Sequence, residues 1–259
     1  PPGGFTDLEE GLVERYGLED AVVAEANSSA EPDVISAIGA AAAAYLSDVL
    51  LSHERIGISS WSETLLAMVT RMAQRSRPVA DSVTQLIGGV GVSRAQIQAT
   101  QLAEELGRIT GGASQFLNAP GLVSSKALRE AMLAEPYVQP VVEEWARLTV
   151  VLAGIGSLEP SPLLRESGNA IPADDQDVLR GLGAVGDICL RFFNADGAEV
   201  PSHISDRVVG IPAEMLRAVP RRVGVAGGAR KHGAIRAAVL GGWVNVLVTD
   251  ADTARSLLR

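Results

Sequence analysis

The sequence predicts an α/β protein with a largely parallel β-sheet that is covered by helices on both faces. Short apolar segments alternate with helical segments along most of the chain, as in consecutive units of strand, crossover helix and strand. Ala, Val, Leu and Gly dominate and aromatic residues make up only 4%, which is typical of buried parallel strands. With 259 residues, of which 47% are hydrophobic, the chain can bury a full core as one large domain or two closely packed lobes.

In the first half of the chain, apolar residues at helical spacing alternate with short β-branched runs. The alanine run at 40–44 favours a long helix, and Ser93 and Gly111 suit the N-cap and the end of an amphipathic one. The predicted helices cover residues 7–16, 33–51, 63–75 and 93–111. The predicted strands cover residues 21–26, 55–59, 81–88 and 114–118.

The second half continues the same alternation. Pro172 and the three acids that follow it suit the first turns of a helix, through the restricted φ of proline and the helix dipole. The segment 186–200 has the pattern of a β-hairpin that turns at 194–197, Asn-Ala-Asp-Gly. The predicted helices cover residues 125–134, 138–147, 172–183, 212–219, 232–242 and 252–259. The remaining predicted strands cover residues 149–157, 207–211, 221–228 and 244–250.

Composition argues against several classes of protein. No stretch of about 18 or more apolar residues is present, and Pro1–Gly4 lacks the basic and apolar parts of a signal peptide. The single cysteine, Cys189, excludes an internal disulfide, and three scattered histidines offer no zinc cluster. We therefore expect a cytoplasmic protein with no metal, no cofactor and no membrane partner.

The net charge of −9 is unevenly distributed. Residues 1–34 hold nine acids against Arg15 alone, a net charge of −8, whereas residues 205–259 hold nine bases and four acids, a net charge of +5. Because phosphate contacts need clustered Lys and Arg, the chain is a poor candidate for binding DNA by itself. The basic C-terminal quarter favours a small anion.

Ligands of parallel α/β sheets bind beyond the carboxyl ends of the strands. Four loops rich in glycine or serine follow predicted strands here, at Ser59–Ser62, Gly88–Gly91, Gly154–Ser157 and Gly227–Lys231. We expect these loops to converge on one binding site.

The first of these loops has two interpretations. Ser60 and Glu63 fit a capping box, with Ser60 as N-cap just before an apolar helical run. Alternatively, backbone N–H groups at the helix start bind a polar ligand. Under that interpretation four side chains also contribute: Ser59, Ser62 and Thr64 with hydroxyls, and Trp61 as a cover.

The last loop, VAGGARKHG, combines a close backbone approach with a fixed cation. Gly227 and Gly228 allow the approach, and Lys231 lies at the start of a helix, where a cation gains nothing from the dipole unless an anion is present. The spacing is not that of a Walker loop, which argues against ATP and GTP. The alternative is that Lys231 is a solvated surface lysine.

The other motifs are weaker indications of function. The pattern GLGAVG, Gly181 to Gly186, matches GxGxxG but ends a helix and precedes a strand, which argues against NAD. Asp187, beside it, either accepts hydrogen bonds from ligand hydroxyls or caps a turn. Trp61 replaces the second glycine of a nucleophile elbow, and Cys189 fits a core position within a strand better than a nucleophile.

Several stretches together resemble the effector-binding domain of SorC/DeoR-type bacterial sugar-responsive transcriptional regulators. They are GLVERYGLEDAVV, VTQLIGGVG, GIGSLEPSPLLRESG, GAVGDI, DRVVGI, VAGGARKHGAIRAAVLGGWVNVLVTD and TARSLL. The resemblance extends over roughly residues 8–258 and rests on the order and spacing of these stretches rather than on any one of them.

The resemblance implies a Rossmann-like domain similar to the sugar-phosphate isomerase and glucosamine-phosphate deaminase group. Such a domain, at 8–259, would bind a small sugar, polyol or sugar phosphate without converting it. Residues 1–7 are expected to be a linker or an expression remnant, and the helix-turn-helix that binds DNA in such regulators is expected to be absent from this chain. The effector would alter a dimer or tetramer and, through it, DNA affinity.

Site residues follow from the matched motifs. The loop Ser59–Thr64 corresponds to the family's ligand or phosphate loop, Asp187 to its hydroxyl-binding acid and Lys231 to its phosphate-side lysine. The other expected ligand-binding residues belong to the second, third and fourth loops: Gln85, Gly88, Gly89, Gly154, Gly156, Gly227 and Gly228.

The first loop departs from the family pattern. Ser62 stands where a glycine is usual, and Glu63 brings a carboxylate that repels phosphate unless it turns away. A free sugar or polyol thus remains open as the effector. Two other functions stay open: an isomerase-like or deaminase-like enzyme with Asp187 as base and Lys231 as phosphate anchor, and a passive assembly module.

Overall fold

The computed structural model of the chain describes residues 4–89, 93–159 and 171–259. The helices are α1 Thr6–Tyr16, α2 Glu31–Val49, α3 Glu63–Val69, α4 Ser93–Thr110, α5 Lys126–Leu133, α6 Gln139–Trp145, α7 Ala173–Gly181, α8 Ala213–Ala218, α9 His232–Leu240 and α10 Ala251–Leu258. The strands are β1 Asp20–Ala24, β2 Glu54–Ile58, β3 Ala80–Gln85, β4 Ala113–Gln115, β5 Val150–Ala153, β6 Gly156–Ser157, β7 Ala184–Ile188, β8 Arg191–Asn194, β9 Arg221–Val225 and β10 Val246–Asp250.

Seven strands form one parallel sheet in the order β1-β10-β9-β5-β2-β3-β4. Successive side chains of a strand point to opposite faces, so Val150 and Leu152 join one hydrophobic cluster while Val151 and Ala153 join another. Both faces are buried, which is why β5 consists entirely of apolar residues and all five residues of β10 are buried. The predicted α/β fold with a largely parallel sheet is confirmed.

Helices cover both faces of this sheet. On one face α2, α3 and α4 contribute Ile38, Met68 and Leu106 to a cluster with strand side chains. On the other face α1, α6, α9 and α10 pack together with a second, smaller sheet. Among the described helices, none is long and apolar enough to cross a membrane.

The strand order reverses beside β2. From β2 the chain proceeds to β3 and β4 on one side, whereas β5 pairs with the opposite edge of β2. Loops that leave β2 and β5 therefore diverge and open a crevice at the carboxyl ends of the strands, which is where ligands of such sheets bind.

The second sheet is antiparallel, with the order β6-β7-β8, and contains a hairpin that was not predicted. Its hairpin turns at Cys189 and Leu190, whose φ angles are 52° and 58°. A two-residue turn with both residues at positive φ matches the twist of the strands but normally uses Asn and Gly. Residues 194–197 form the predicted turn after β8, and the chain pairs antiparallel across it through the N–H of Val200 and the Phe192 carbonyl (2.9 Å) and a bridge between Phe193 and Glu199. The sequence missed the earlier turn, because no local propensity marks Cys-Leu as a turn.

Two other elements end earlier than predicted or do not form. Helix α3 ends at Val69, because the following segment bonds to the end of α4 through Arg75 N–H to Ile109 O (3.0 Å) and Val79 N–H to Thr110 O (2.8 Å). The segment 207–211 makes only isolated antiparallel bridges, at Val208 and Gly210, and is not a strand. In both segments, hydrogen bonds to distant parts of the chain outweigh the local preference for a helix or a strand.

Some predictions fall on residues outside the described ranges. They are the first three residues of the predicted linker and positions 90–91 of the second predicted loop. Within the described part, α1 begins at Thr6, inside the segment 1–7 that was expected to be a linker.

Candidate functional site

A cavity of about 220 Å³ lies at the switch point of the main sheet. Its walls come from the loops after β2, β5 and β9, the first half of α2 and the turn between β7 and β8. The predicted site residues that line it are Ser59, Trp61, Ser62, Thr64, Gly154, Gly156, Asp187, Gly227, Gly228 and Lys231. Three of the four predicted loops therefore converge here.

The second predicted loop, which follows β3, packs against Trp61, a residue of the cavity wall. Gly88 lies so close to the chain at Ala119 that a Cβ would approach the Ala119 carbonyl oxygen to 2.3 Å. A Cβ on Gly89 would lie 2.1 Å from the Trp61 ring. Gly88 and Gly89 were expected to contact a ligand, but they lie outside the lining. Instead, the absence of a side chain at these positions allows the backbone at Ala119 and the ring of Trp61 to pack against them.

Gln85 and Ser60 also lie outside the lining. The Gln85 side-chain oxygen accepts the N–H of Leu117 (2.9 Å), and its backbone oxygen accepts the Trp145 indole N–H (3.0 Å). The Ser60 hydroxyl is buried and has no hydrogen-bond partner among the described residues. Both side chains are buried away from the cavity lining, and their contact with a ligand stays a prediction.

The predicted capping box at the start of α3 is also wrong. Ser62, not Ser60, is the N-cap, and its hydroxyl accepts the N–H of Leu65 (3.3 Å). Glu63 is consequently the first helical residue rather than the third. Thr64 bonds to Ser62 (2.9 Å) and donates its proton to the carbonyl of Val225 on β9 (2.7 Å), which ties two of the cavity loops together.

Asp187 is the buried acid of the cavity, with 7% of its surface exposed. One carboxylate oxygen accepts the N–H of Leu190 across the hairpin turn (2.9 Å), and the other faces Gly156, where a Cβ would lie 2.1 Å away. Burial raises the pKa of Asp187 to about 6, against the opposing effects of the Leu190 N–H and the Lys231 charge. Near neutral pH it is therefore mostly an acceptor for hydroxyl groups, and in mild acid it becomes a donor.

Lys231 is the partly buried cation of the cavity, at the N-terminus of α9. Burial lowers its pKa, while Asp187, Glu31 and Glu63 act in the opposite direction. The two glycines before it are held by Asp250 from β10. The Asp250 carboxylate accepts the N–H of Gly228 (2.8 Å) and would be 2.2 Å from a Cβ on Gly227.

The contribution of α2 was missed from the sequence. Glu31 and Ile38 of α2 line the cavity, and so does Ser29 just before the helix. Asn27-Ser28-Ser29 follows β1, so it is a polar loop at a strand end of the same kind as the four that were recognised. The polar loop could have been recognised as a fifth candidate. Its link to the cavity was not visible in the sequence, because β1 lies at the edge of the sheet and the chain reaches the switch point only through α2.

Cys189 was expected within a strand and instead lies in the hairpin turn, facing the cavity. Burial raises the pKa of its thiol to about 12, partly offset by its interaction with the Ser59 hydroxyl. The thiol therefore stays protonated and is a poor nucleophile.

An ion-pair cluster lies at the mouth of the cavity. Arg230 pairs with Glu31 (2.5 Å) and approaches Glu159 (3.9 Å), which joins α2, the segment after β6 and the loop after β9. Across the ranges that the structure describes, no group of three or more His, Cys, Asp or Glu side chains is placed to hold a metal ion.

A polar cavity at the switch point of a parallel α/β sheet defines a small-molecule binding domain. The family model described as "Putative sugar-binding domain" matches residues 1–259, so the chain belongs to this family of sugar-binding domains.

Named relatives of the chain are bacterial transcriptional regulators. The sorbitol operon regulator of Klebsiella pneumoniae is 28% identical over 256 residues, which span 97% of this chain and 80% of that protein. The transcriptional regulator LsrR of Escherichia coli K12 is 32% identical over 259 residues, 99% of this chain and 78% of that protein. The crystal structure of the full-length sorbitol operon regulator SorC from K. pneumoniae superposes with a TM-score of 0.90 at 26% identity, covering 99% of this chain and 82% of that one.

These findings confirm the predicted resemblance to SorC/DeoR-type regulators. The chain is a sugar-sensing regulatory domain of the kind found in transcriptional regulators.

Proposed function

We propose that the cavity binds one small effector rich in hydroxyl groups, a sugar, polyol or sugar phosphate, and that this binding controls a DNA-binding segment of the whole regulator. The observation that carries the proposal is the convergence of Trp61, Asp187 and Lys231, from three different elements, on one cavity. An aromatic ring supplies an apolar face for the C–H side of a sugar, while the carboxylate and the ammonium bind hydroxyls. The site residues are the ten lining residues named above.

Binding would act through the elements that surround the cavity. A ligand shifts an equilibrium only by binding one conformation more tightly than another. The cavity is lined by loops from β2, β5 and β9, by α2 and by the hairpin turn, so a ligand that contacts all of them favours the arrangement in which they are closest. We propose that this change alters the assembly of a cytoplasmic homo-oligomer and thereby the DNA affinity of the whole protein.

We further propose that the domain does not turn over its ligand. The relatives that support this are named as regulators, not as enzymes. The one thiol in the lining, Cys189, is held protonated by burial and is a poor nucleophile. Release of product from ribose 5-phosphate or glucosamine 6-phosphate by the purified domain would contradict this part of the proposal.

A thermal-shift screen against sugars, polyols and their phosphates tests the proposed binding. A ligand at about 100 times its Kd stabilises the folded state by about 2.7 kcal/mol. We expect Asp187→Asn and Trp61→Phe to weaken the response, and Glu214→Gln to leave it unchanged because Glu214 is exposed and outside the cavity. If no carbohydrate stabilises the domain, the passive assembly module is the better description.

A further inference from the structure

We propose that the effector carries no phosphate and that the cavity selects an uncharged sugar or polyol over the corresponding phosphate ester. This inference rests on the proposed function and names its ligand class. It follows from the charges and hydrogen-bond donors that already face the cavity.

Acids outnumber bases in the lining. Among the described lining residues, four side chains are carboxylates and two are cations: Glu31, Glu63, Glu159 and Asp187 against Arg230 and Lys231. A phosphate monoester near neutral pH adds between one and two further negative charges. The least screened of the four carboxylates is Asp187, because it is buried. A phosphate therefore enters a site whose own charge opposes it.

One of the two cations, Arg230, is already paired with carboxylates, and the other, Lys231, lies in the field of three of them. Arg230 is paired with Glu31 at 2.5 Å and lies 3.9 Å from Glu159. Lys231 makes no ion pair within 4 Å in the described ranges, yet Asp187, Glu31 and Glu63 all act on its charge. A phosphate would have to compete with these three acids for one ammonium group.

Three donors beside the cavity are also committed. The N–H of Gly228, in the loop after β9, donates to Asp250 (2.8 Å) and Thr253 (3.1 Å). Thr64 donates to the Val225 carbonyl (2.7 Å), so its bond with Ser62 (2.9 Å) uses the Ser62 proton as well. Phosphate binding at strand-end loops depends on such free donors.

Uncharged hydroxyl groups meet none of these obstacles. They donate to the carboxylates, which a phosphate dianion cannot do, and they accept from Lys231. The indole of Trp61, which is 8% exposed and backed by Gly89, offers an apolar surface to a sugar ring. The excess of acceptors in the lining thus matches a ligand that is rich in donors.

Isothermal titration of the purified domain with matched pairs tests the inference: sorbitol with sorbitol 6-phosphate, fructose with fructose 6-phosphate, and ribose with ribose 5-phosphate. Inorganic phosphate serves as a probe for anion binding alone. We expect the free member of the productive pair to bind at least about tenfold more tightly at pH 8, where like charges within a Debye length repel. Inorganic phosphate should not compete with it.

Charge variants connect the result to the named residues. The preference is the ratio of the Kd of the phosphate ester to the Kd of the free sugar. The double variant Glu31→Gln/Glu63→Gln should reduce this ratio by roughly tenfold, because it removes two carboxylates from the lining. Glu214→Gln removes an exposed acid outside the cavity and should leave the preference unchanged. Urea unfolding of each variant shows whether it is folded, and Glu63→Gln alone replaces the double variant if that one is not.

The outcomes are distinct. A phosphate ester that binds as tightly as its free partner, or competition by inorganic phosphate, overturns the inference and leaves the proposed sugar-binding function intact. Failure of every sugar, polyol and ester to bind overturns the proposed function itself, and the inference with it.

Discussion

The two ends of the main sheet treat buried charge in opposite ways. At the amino end, the buried carboxylate of Glu144 accepts hydrogen bonds from Arg55 (2.6 Å) and Ser82 (2.6 Å). At the carboxyl end, Asp187 is buried to a similar degree but accepts one backbone N–H, and its other oxygen borders the cavity. The charge of Glu144 is neutralised within the protein, whereas Asp187 keeps the capacity to bind a ligand.

A second carboxylate at the amino end repeats the pattern. Glu54, at the start of β2, accepts from the hydroxyl of Thr149 and from the N–H of Leu51 (3.3 Å). Arg221, at the start of β9, lies 4.0 Å from it. Buried charges are tolerated when they are paired and hydrogen-bonded, so this end of the sheet serves stability.

The largest expected effect tests the paired end. Glu144→Ala should lower the free energy of unfolding by about 3 kcal/mol, because it removes the acceptor of the buried Ser82 hydroxyl and the closer of the two acids beside Arg55. Urea denaturation measures this change. Glu143→Ala is the matched control, one residue earlier on an exposed position of α6, and should change stability by no more than about 0.5 kcal/mol. Equal effects of the two variants would remove the distinction between the ends.

The next largest effect concerns Asp187 and the pH dependence of the free energy of unfolding. The raised pKa of Asp187, about 6, means that the folded state binds a proton more readily than the unfolded state. The free energy of unfolding contributed by this group therefore falls as pH rises from about 4 to about 6. Asp187→Asn removes that dependence and keeps an acceptor for Leu190, so the variant should be more stable than the wild type by up to about 3 kcal/mol at pH 8.

Urea denaturation of both proteins between pH 4 and pH 8 measures the difference. Asp196→Asn, at an exposed turn, is the control and should give a difference that does not vary with pH. A wild-type protein that is the more stable of the two at pH 8 would show that Asp187 is stabilised by a partner within the protein.

A third prediction sharpens the comparison within the carboxyl end. Asp250 is also buried there, and although burial alone would raise its pKa, hydrogen bonds from Thr253 and Gly228 hold it below its usual value. Its stabilising effect should therefore be present above about pH 4 and be lost as pH falls further, the reverse of Asp187.

Asp250 is the N-cap of α10, and Asp250→Ala should cost about 1 to 2 kcal/mol at pH 7. Asp252→Ala, on the exposed side of the same helix, should cost far less. Thermal unfolding of the two variants distinguishes a structural acid from a surface acid.

The smallest expected effect concerns the mouth of the cavity. Arg230→Gln breaks the contacts with Glu31 and Glu159, which are all about half exposed or more. Exposed ion pairs contribute little, so the free energy of unfolding should change by less than about 0.5 kcal/mol. A loss above about 1.5 kcal/mol in urea denaturation would mean that this cluster holds the loops together in the absence of ligand.

Much of the site was predictable because parallel strands bring their carboxyl ends to one edge of the sheet. Lys231 and Trp61 follow from that rule, since each lies in a loop after a parallel strand. Asp187 lies on the antiparallel strand β7 and was predicted from its match to the family motif instead. Gln85 and Ser60 obey the same rule but turn inward, because Leu117 and the packing around the first loop determine their rotamers. The end of a strand can be predicted from the local sequence. The direction of a side chain in the loop that follows cannot, because it depends on contacts with distant residues.

By itself, the sequence determined the alternation of helices and parallel strands along most of the chain, since the period of apolar residues depends only on backbone geometry. Only the tertiary structure decided where α3 ends, that the hairpin turns at Cys189 and Leu190, and that α2 supplies a wall of the cavity. The physical reason is that these features depend on hydrogen bonds and contacts between segments far apart in the chain. Residue preferences describe a segment in isolation, and the local cost of an unusual turn is outweighed by partners that appear only when the chain has folded.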